Sequence, residues 1–168
     1  MNRIELIRWA LSLTEGATAQ IVGELRDAPL TRPTKGAKGG DGNHPIWTLG
    51  HLCVIEGGIP EILFGESNPV EHWKPLFAAG TKPSDGPSKY PSFDELLRKF
   101  HELRANTLRI LDRLGDAGLD RKPKNVPPGF EQTMTTFGQT LLLISLHNMV
   151  HYGQIADVRR VAGVKPLM

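Results

Sequence analysis

Hydrophobic residues recur every three or four positions through four long segments, the period of a helix with one buried face. The first predicted helix covers about 2–26, where Ile4, Ile7, Leu11, Thr14, Thr18, Ile21 and Leu25 make the inward stripe. The second covers about 45–64. Asn43 or His44 can cap it, and Pro45 suits its first turn, where a missing N–H costs nothing. Gly57, Gly58 and Pro60 are poor helix formers, and Pro60 removes the bond to the Glu56 carbonyl, so a kink is expected there. The third covers about 93–114, with a capping box at Ser92 and Glu95 and a stop at Gly115. Its inner face is Phe93, Leu96, Phe100, Leu103, Thr107, Leu111 and Leu114. The fourth covers about 137–162, opened by a capping box at Thr136 and Gln139 and closed by Gly163.

The segments between, about 28–44, 65–91 and 115–135, are rich in proline and glycine. No segment alternates like a strand for long, and no internal repeat or low-complexity tract occurs. The pattern predicts an all-α four-helix bundle. The middle connection, which holds Pro69, Pro75, Pro83, Pro87 and Pro91, is long for a simple hairpin. It can cross the full length of a bundle and let the second and third helices run parallel.

Composition narrows the class. The 168 residues amount to one domain, 1–168. A chain of that size buries roughly 70% of its unfolded surface and needs no disulfide or structural metal to fold. A net charge of +2 is too small to argue for a nucleic-acid partner. The start of the chain has no signal-peptide core, and no run of about 18 apolar residues suggests a membrane span. A single cysteine, Cys53, leaves no intrachain disulfide and no paired-cysteine zinc site. A cytoplasmic location is expected.

The candidate chemistry lies in the histidines. His147 and His151 stand four apart in the fourth helix and share a face with Thr140, Leu143, Ile144, Gln154 and Val158. His51, in the second helix, shares a face with Trp47, Ile55 and Ile62. Three inward neutral imidazoles can hold a divalent metal and leave coordination positions open, which suits chemistry more than structural support. Such a metal lowers the pKa of a bound water or thiol. The plainer alternative is three hydrogen-bonded core or surface histidines. His44, His72 and His101 are expected at the surface or in loops, with His44 and His72 as alternate ligands. Cys53 lies about 200° around its helix from His51 and is not expected to be a ligand. His147 is followed by Asn148, so the zincin base of H-E-x-x-H is missing. No Glu-x-x-His, haem-attachment motif, phosphate loop or nucleophile elbow occurs.

Trp47-Thr48-Leu49-Gly50-His51-Leu52, followed about ninety residues later by His147-x-x-x-His151-x-Gly153-Gln154-Ile155 and then by Arg159-Arg160-x-x-Gly163, resembles the DinB/YfiT-like superfamily of metalloenzymes. The resemblance runs over nearly the whole chain. It implies a bundle with an up-down-down-up course and a divalent metal held by His51, His147 and His151. Zinc and nickel suit three histidines best, with iron or manganese still open. It also implies a homodimer and a reaction of the thiol-dependent transferase kind, in which a low-molecular-weight thiol attacks a small electrophilic substrate. Gly57, Gly58 and Pro60 depart from a regular second helix and bear on the pocket shape.

Two alternatives stay open: metal-dependent hydrolysis, and a non-catalytic metal-binding stress-response bundle. Gln154, one turn beyond His151, is a candidate to orient a histidine. Arg32, Lys35, Lys38, Arg159, Arg160 and Lys165 could form a basic rim for an anionic co-substrate, although Arg159 and Arg160 are rather expected to complement the helix dipole in solvent. Trp73 and Phe77 either cover a pocket or pack as core beneath the crossover.

Overall fold

The computed structural model describes residues 1–34 and 42–165, and these contain helices and no strand. The helices are α1 (Arg3–Gly23), α2 (Pro45–Gly57), α3 (Ile59–Phe64), α4 (Lys74–Phe77), α5 (Phe93–Gly118) and α6 (Phe137–Val161). Short 3-10 turns at Glu71–Trp73 and Pro87–Lys89 shape the crossover. No helix among the described residues is long and apolar enough to cross a membrane.

Local chemistry sets the ends. Asn2 and Glu5 form a complete capping box on α1, which the sequence reading did not pick out. Ser92 and Thr136 accept from the amides of Glu95 and Gln139, as expected. The Gln139 side chain bonds Thr135, however, and not the cap residue. The second predicted helix breaks at Gly58 into α2 and α3, where Gly57, Gly58 and Pro60 were expected to bend it. Gly115 interrupts α5 with φ 60°, a conformation that costs other residues energy, and one further turn carries the chain to Gly118. The expected stop is therefore a break and not an end.

His44 corrects one expectation. It lies in the loop, as the N-cap of α2, but is fully buried and not at the surface. Its Nδ1 accepts the Trp47 amide at the start of α2, and its Nε2 lies 3.0 Å from the Ser84 carbonyl. A carbonyl only accepts, so Nε2 carries the proton and both nitrogens are used. His44 is thereby excluded as an alternate ligand. His72 and His101 are exposed, as expected.

The buried face of each long helix is apolar towards both ends and polar between. On α1 the order is Ile7 and Leu11, then Thr14 and Thr18, then Ile21 and Val22. On α5 it is Leu96 and Phe100, then Arg104 and Thr107, then Ile110 and Leu111. On α6, Leu141 and Ile144 are followed by Ser145, Asn148 and His151, then Ile155 and Val158. Across α2 and α3, Leu49 and Leu52 precede Glu56, and Ile59 and Leu63 follow. The apolar residues sort into two clusters, one holding Ile21, Leu49, Phe100 and Val158, the other Leu11, Leu63, Leu111 and Leu141. Between them Arg104 donates to Glu56 Oε2 (2.9 Å) and to the Leu11 carbonyl (2.6 Å). Both side chains of this ion pair are essentially inaccessible.

Helix α1 packs on α5 and α6, and α2 packs on α5 and α6. Exposed pairs stitch α1 and its extension to α5: Arg3 with Asp116 and Asp120, Arg8 with Asp112, Arg26 with Asp94. Exposed pairs of this kind add little energy, so the two apolar clusters carry most of the stability.

Candidate metal centre

Helix α2 begins under the crossover, and its first turns are almost wholly buried. The crossover backbone therefore lies close enough to bond side chains on α2. His51 Nδ1 is 2.8 Å from the Phe77 carbonyl, which can only accept, so Nδ1 is protonated and Nε2 keeps its lone pair. Trp47, one turn earlier, stacks on the imidazole at 4.9 Å with the planes 8° apart. Trp47 is itself pinned through Nε1 to Thr81 Oγ1 at 2.9 Å. Phe77 and Trp73 are core residues. They do not cover a pocket, and the functional role of Phe77 lies in its backbone oxygen.

Gly50 makes this approach fit. A Cβ there would overlap the Phe77 ring, which also stacks on Tyr90. Gly50→Ala is expected to push Phe77 outward and move its carbonyl off His51. Overpacking of this kind costs roughly 1–3 kcal/mol. Thermal unfolding and metal titration should both show the loss, whereas a variant that keeps wild-type metal affinity would argue against this anchoring.

From α6, His147 and His151 come to the same place. The three imidazoles offer ring nitrogens that all lie within 4.8 Å of one another. Their ring centroids are 4.6–5.3 Å apart. His147 Nε2 and His151 Nε2 are separated by 3.2 Å. Two nitrogens at zinc bond lengths in a tetrahedral arrangement would stand about 3.3 Å apart, so the spacing fits. The cluster has no carboxylate. These three histidines could hold a metal ion.

Gln154 is exposed, not inward as its place on the helix wheel suggested. Its Oε1 nevertheless reaches back 3.0 Å to His151 Nδ1 and fixes that ring with Nε2 directed at the cluster. His147 has no such anchor, and its Nδ1 is buried without a hydrogen-bond partner. Cys53 is fully buried, bonds the Leu96 carbonyl, and stands apart from the cluster.

Burial pushes all three imidazole pKa values below their ordinary 6.5. His147 falls to about 4 through desolvation and then its two histidine neighbours, and His151 falls to about 4 through desolvation and then His51. A depressed pKa moves proton competition with a metal to lower pH. Metal affinity is therefore expected to fall less between about pH 7.5 and 5.5 than it would with three ordinary imidazoles, each of which would lose about tenfold over that range. Isothermal titration at the two ends checks this, and a steep drop would mean that the imidazoles are hydrated. The unfolded chain takes up these protons first, so metal-free stability should decline as pH falls from about 6.5 toward 4.

The expected basic rim is mostly spoken for. Arg32 bonds Asp85 and the carbonyls of Gly42 and Pro83. Arg159 is buried and paired with Glu24, where solvent was expected. Arg160 is exposed and pairs with Asp157, and Lys165 is exposed. Lys35 and Lys38 lie outside the described residues.

Beside the cluster opens a cavity of about 690 Å³, to which His51 and His147 contribute. Its other walls come from α2, α3, the crossover at Asn68, Lys74, Ala78 and Ala79, the mid-part of α6 and the segment 125–134. Sequence reasoning missed that last segment, which carries no periodicity to mark it.

A family model described as the DinB superfamily matches residues 10–155. No curated protein matches the chain.

Proposed function

The chain belongs to the DinB superfamily, and from that membership together with its three convergent imidazoles we propose a metal-dependent transferase that activates a low-molecular-weight thiol for attack on a small electrophile. The ligands are His51, His147 and His151, and the metal is zinc or nickel. The observation that carries the reading is the convergence of three ring nitrogens within 4.8 Å, all in imidazoles that burial keeps neutral. The metal, when bound, supplies Lewis acidity that lowers the pKa of a thiol and leaves positions open for it. The chain supplies the rest. The Phe77 carbonyl and Gln154 hold His51 and His151 in the Nδ1-protonated form. Trp47 fixes the plane of His51 and excludes water from that side. Among the described residues the cluster itself holds no carboxylate, and Glu61 on the adjoining cavity wall is paired with Lys74, which favours a thiol over water because hydrolysis usually recruits a general base.

The test is a screen of zinc- and nickel-loaded protein against electrophiles, with and without bacillithiol, mycothiol or glutathione. Product formation only with thiol, lost in His51→Ala, supports the reading. Turnover without thiol would replace it with hydrolysis.

We also read residues 1–168 as one domain, a four-helix bundle with an up-down-down-up course. The order in which each helix meets the two apolar clusters supports it. That order is the same on α1 and α6 and reversed on α2 and α5. A cytoplasmic homodimer completes the proposal. Leu6, Trp9 and Leu13 on α1 and Met149 on α6 are exposed large apolar side chains. These two helices pack together, and α6 has no charged residue from Phe137 to Ala156, so on the α6 side two copies could meet without burying charge. Trp9→Glu is expected to halve the mass measured by light scattering, and an unchanged mass would move the interface elsewhere.

A further inference from the structure

We infer that the cavity beside the histidines takes the body of an uncharged, apolar small molecule and discriminates against anions. This rests on the metal reading for which end of the molecule reacts, but not for the binding itself. The volume, about 690 Å³, lies within the roughly 300–1,000 Å³ typical of sites that hold a drug-sized ligand. The walls are mainly aliphatic and aromatic: Val54, Ile55 and Ile62 on one side, Leu143, Ile144 and Val150 on the other, with Phe130 and Met134 beyond.

The polar groups on the walls decide the charge of the ligand, and each is engaged elsewhere. Lys74 is held by Glu61 at 3.1 Å and Glu71 at 2.7 Å. Asn68 donates to the Val54 carbonyl and accepts from the Val70 amide. Asn125 donates to the Glu61 carbonyl. Glu61 is itself a wall residue, so Lys74 is more than neutralised by its two carboxylate partners, and an anionic substituent in the cavity would have to break two ion pairs to use it. Apart from these groups, the polar surface that the cavity offers comes from His51 and His147. A ligand that fits would be apolar along its length and carry its reactive group at the histidine end. An anionic co-substrate would have to approach the cluster from another side. Apolar burial drives such binding in rough proportion to area, whereas burying an unpaired charge opposes it.

A matched pair of probes tests this on metal-free, full-length protein. N-phenyl-1-naphthylamine is uncharged, and 1-anilinonaphthalene-8-sulfonate is nearly the same skeleton with a sulfonate. One site per chain is expected for the uncharged probe, at least tenfold tighter than for the sulfonate. Val150 is an exposed part of the wall, so Val150→Glu should fold normally by circular dichroism. It should weaken the uncharged probe at least tenfold. Equal or tighter binding of the sulfonate, no binding of the neutral probe, or indifference to Val150→Glu would each overturn the inference. Binding that appears only in the Trp9→Glu variant would also overturn it, because a second copy would then fill the cavity. Metal content measured on a second sample of the wild type, reconstituted with zinc or nickel, keeps the two claims separate. Metal without probe binding leaves the metal reading standing and the cavity inference refuted, and probe binding without metal does the reverse.

Discussion

Truncating Arg104 to alanine is expected to lower the unfolding free energy by roughly 3–5 kcal/mol. The guanidinium is fully buried on α5 and donates to Glu56 on α2 and to the Leu11 carbonyl on α1, so it joins three helices at mid-height. Without it, the Glu56 carboxylate, whose Oε1 already lacks a partner, would be left charged and unpaired in the core. Such a charge costs far more than the ion pair contributes, because neither group can return to water. For a chain of this length the loss corresponds to roughly 6–20 °C in melting temperature. Scanning calorimetry of Arg104→Ala measures it. The double variant Arg104→Met with Glu56→Leu should recover most of the loss, since it removes both charges and keeps the volume. A change below about 1 kcal/mol in the single variant would mean that water reaches the pair, contrary to its burial.

The second large effect concerns the metal ligands. Alanine at His51, His147 or His151 is expected to weaken metal binding by more than the about 10–100-fold that loss of an outer partner costs. His51→Ala and His151→Ala remove imidazoles that are already fixed by the Phe77 carbonyl and by Gln154. His147→Ala removes the ring without an anchor and relieves a buried unsatisfied Nδ1. It should therefore be the least destabilising of the three in the metal-free protein while still abolishing tight binding. Competition titrations against a chromogenic chelator give the affinities, and melting curves without metal give the stabilities. Equal metal affinity in any of the three variants would remove that residue from the ligand set.

Much of this was legible in the sequence, and the reasons are local. The inward stripe of α1 and the capping residues Ser92 and Thr136 follow from periodicity and backbone donors, which act over a few residues. Gly57, Gly58 and Pro60 announced the break at Gly58 for the same reason. The i and i+4 spacing placed His147 and His151 together, and face-sharing with Trp47 turned His51 inward. The misses are tertiary. Nothing near His44 indicates that Ser84, forty residues on, would cover it. Arg159 looked like a helix-end cation in solvent until Glu24 was brought beside it. Gln154 bonds His151 from an exposed position that the helix wheel did not suggest, because a long side chain can still reach back one turn. The buried pair Glu56–Arg104 was invisible for the same reason, since each residue alone reads as surface.

The measurement that tests the central claim most directly is metal content by mass spectrometry on protein purified without a histidine tag, as isolated and after exposure to zinc or nickel. About one metal per chain is expected for the wild type, with none retained by His147→Ala. A wild type that stays metal-free after reconstitution, or a His147→Ala variant that holds as much metal as the wild type, would contradict the three-histidine centre and the transferase built on it.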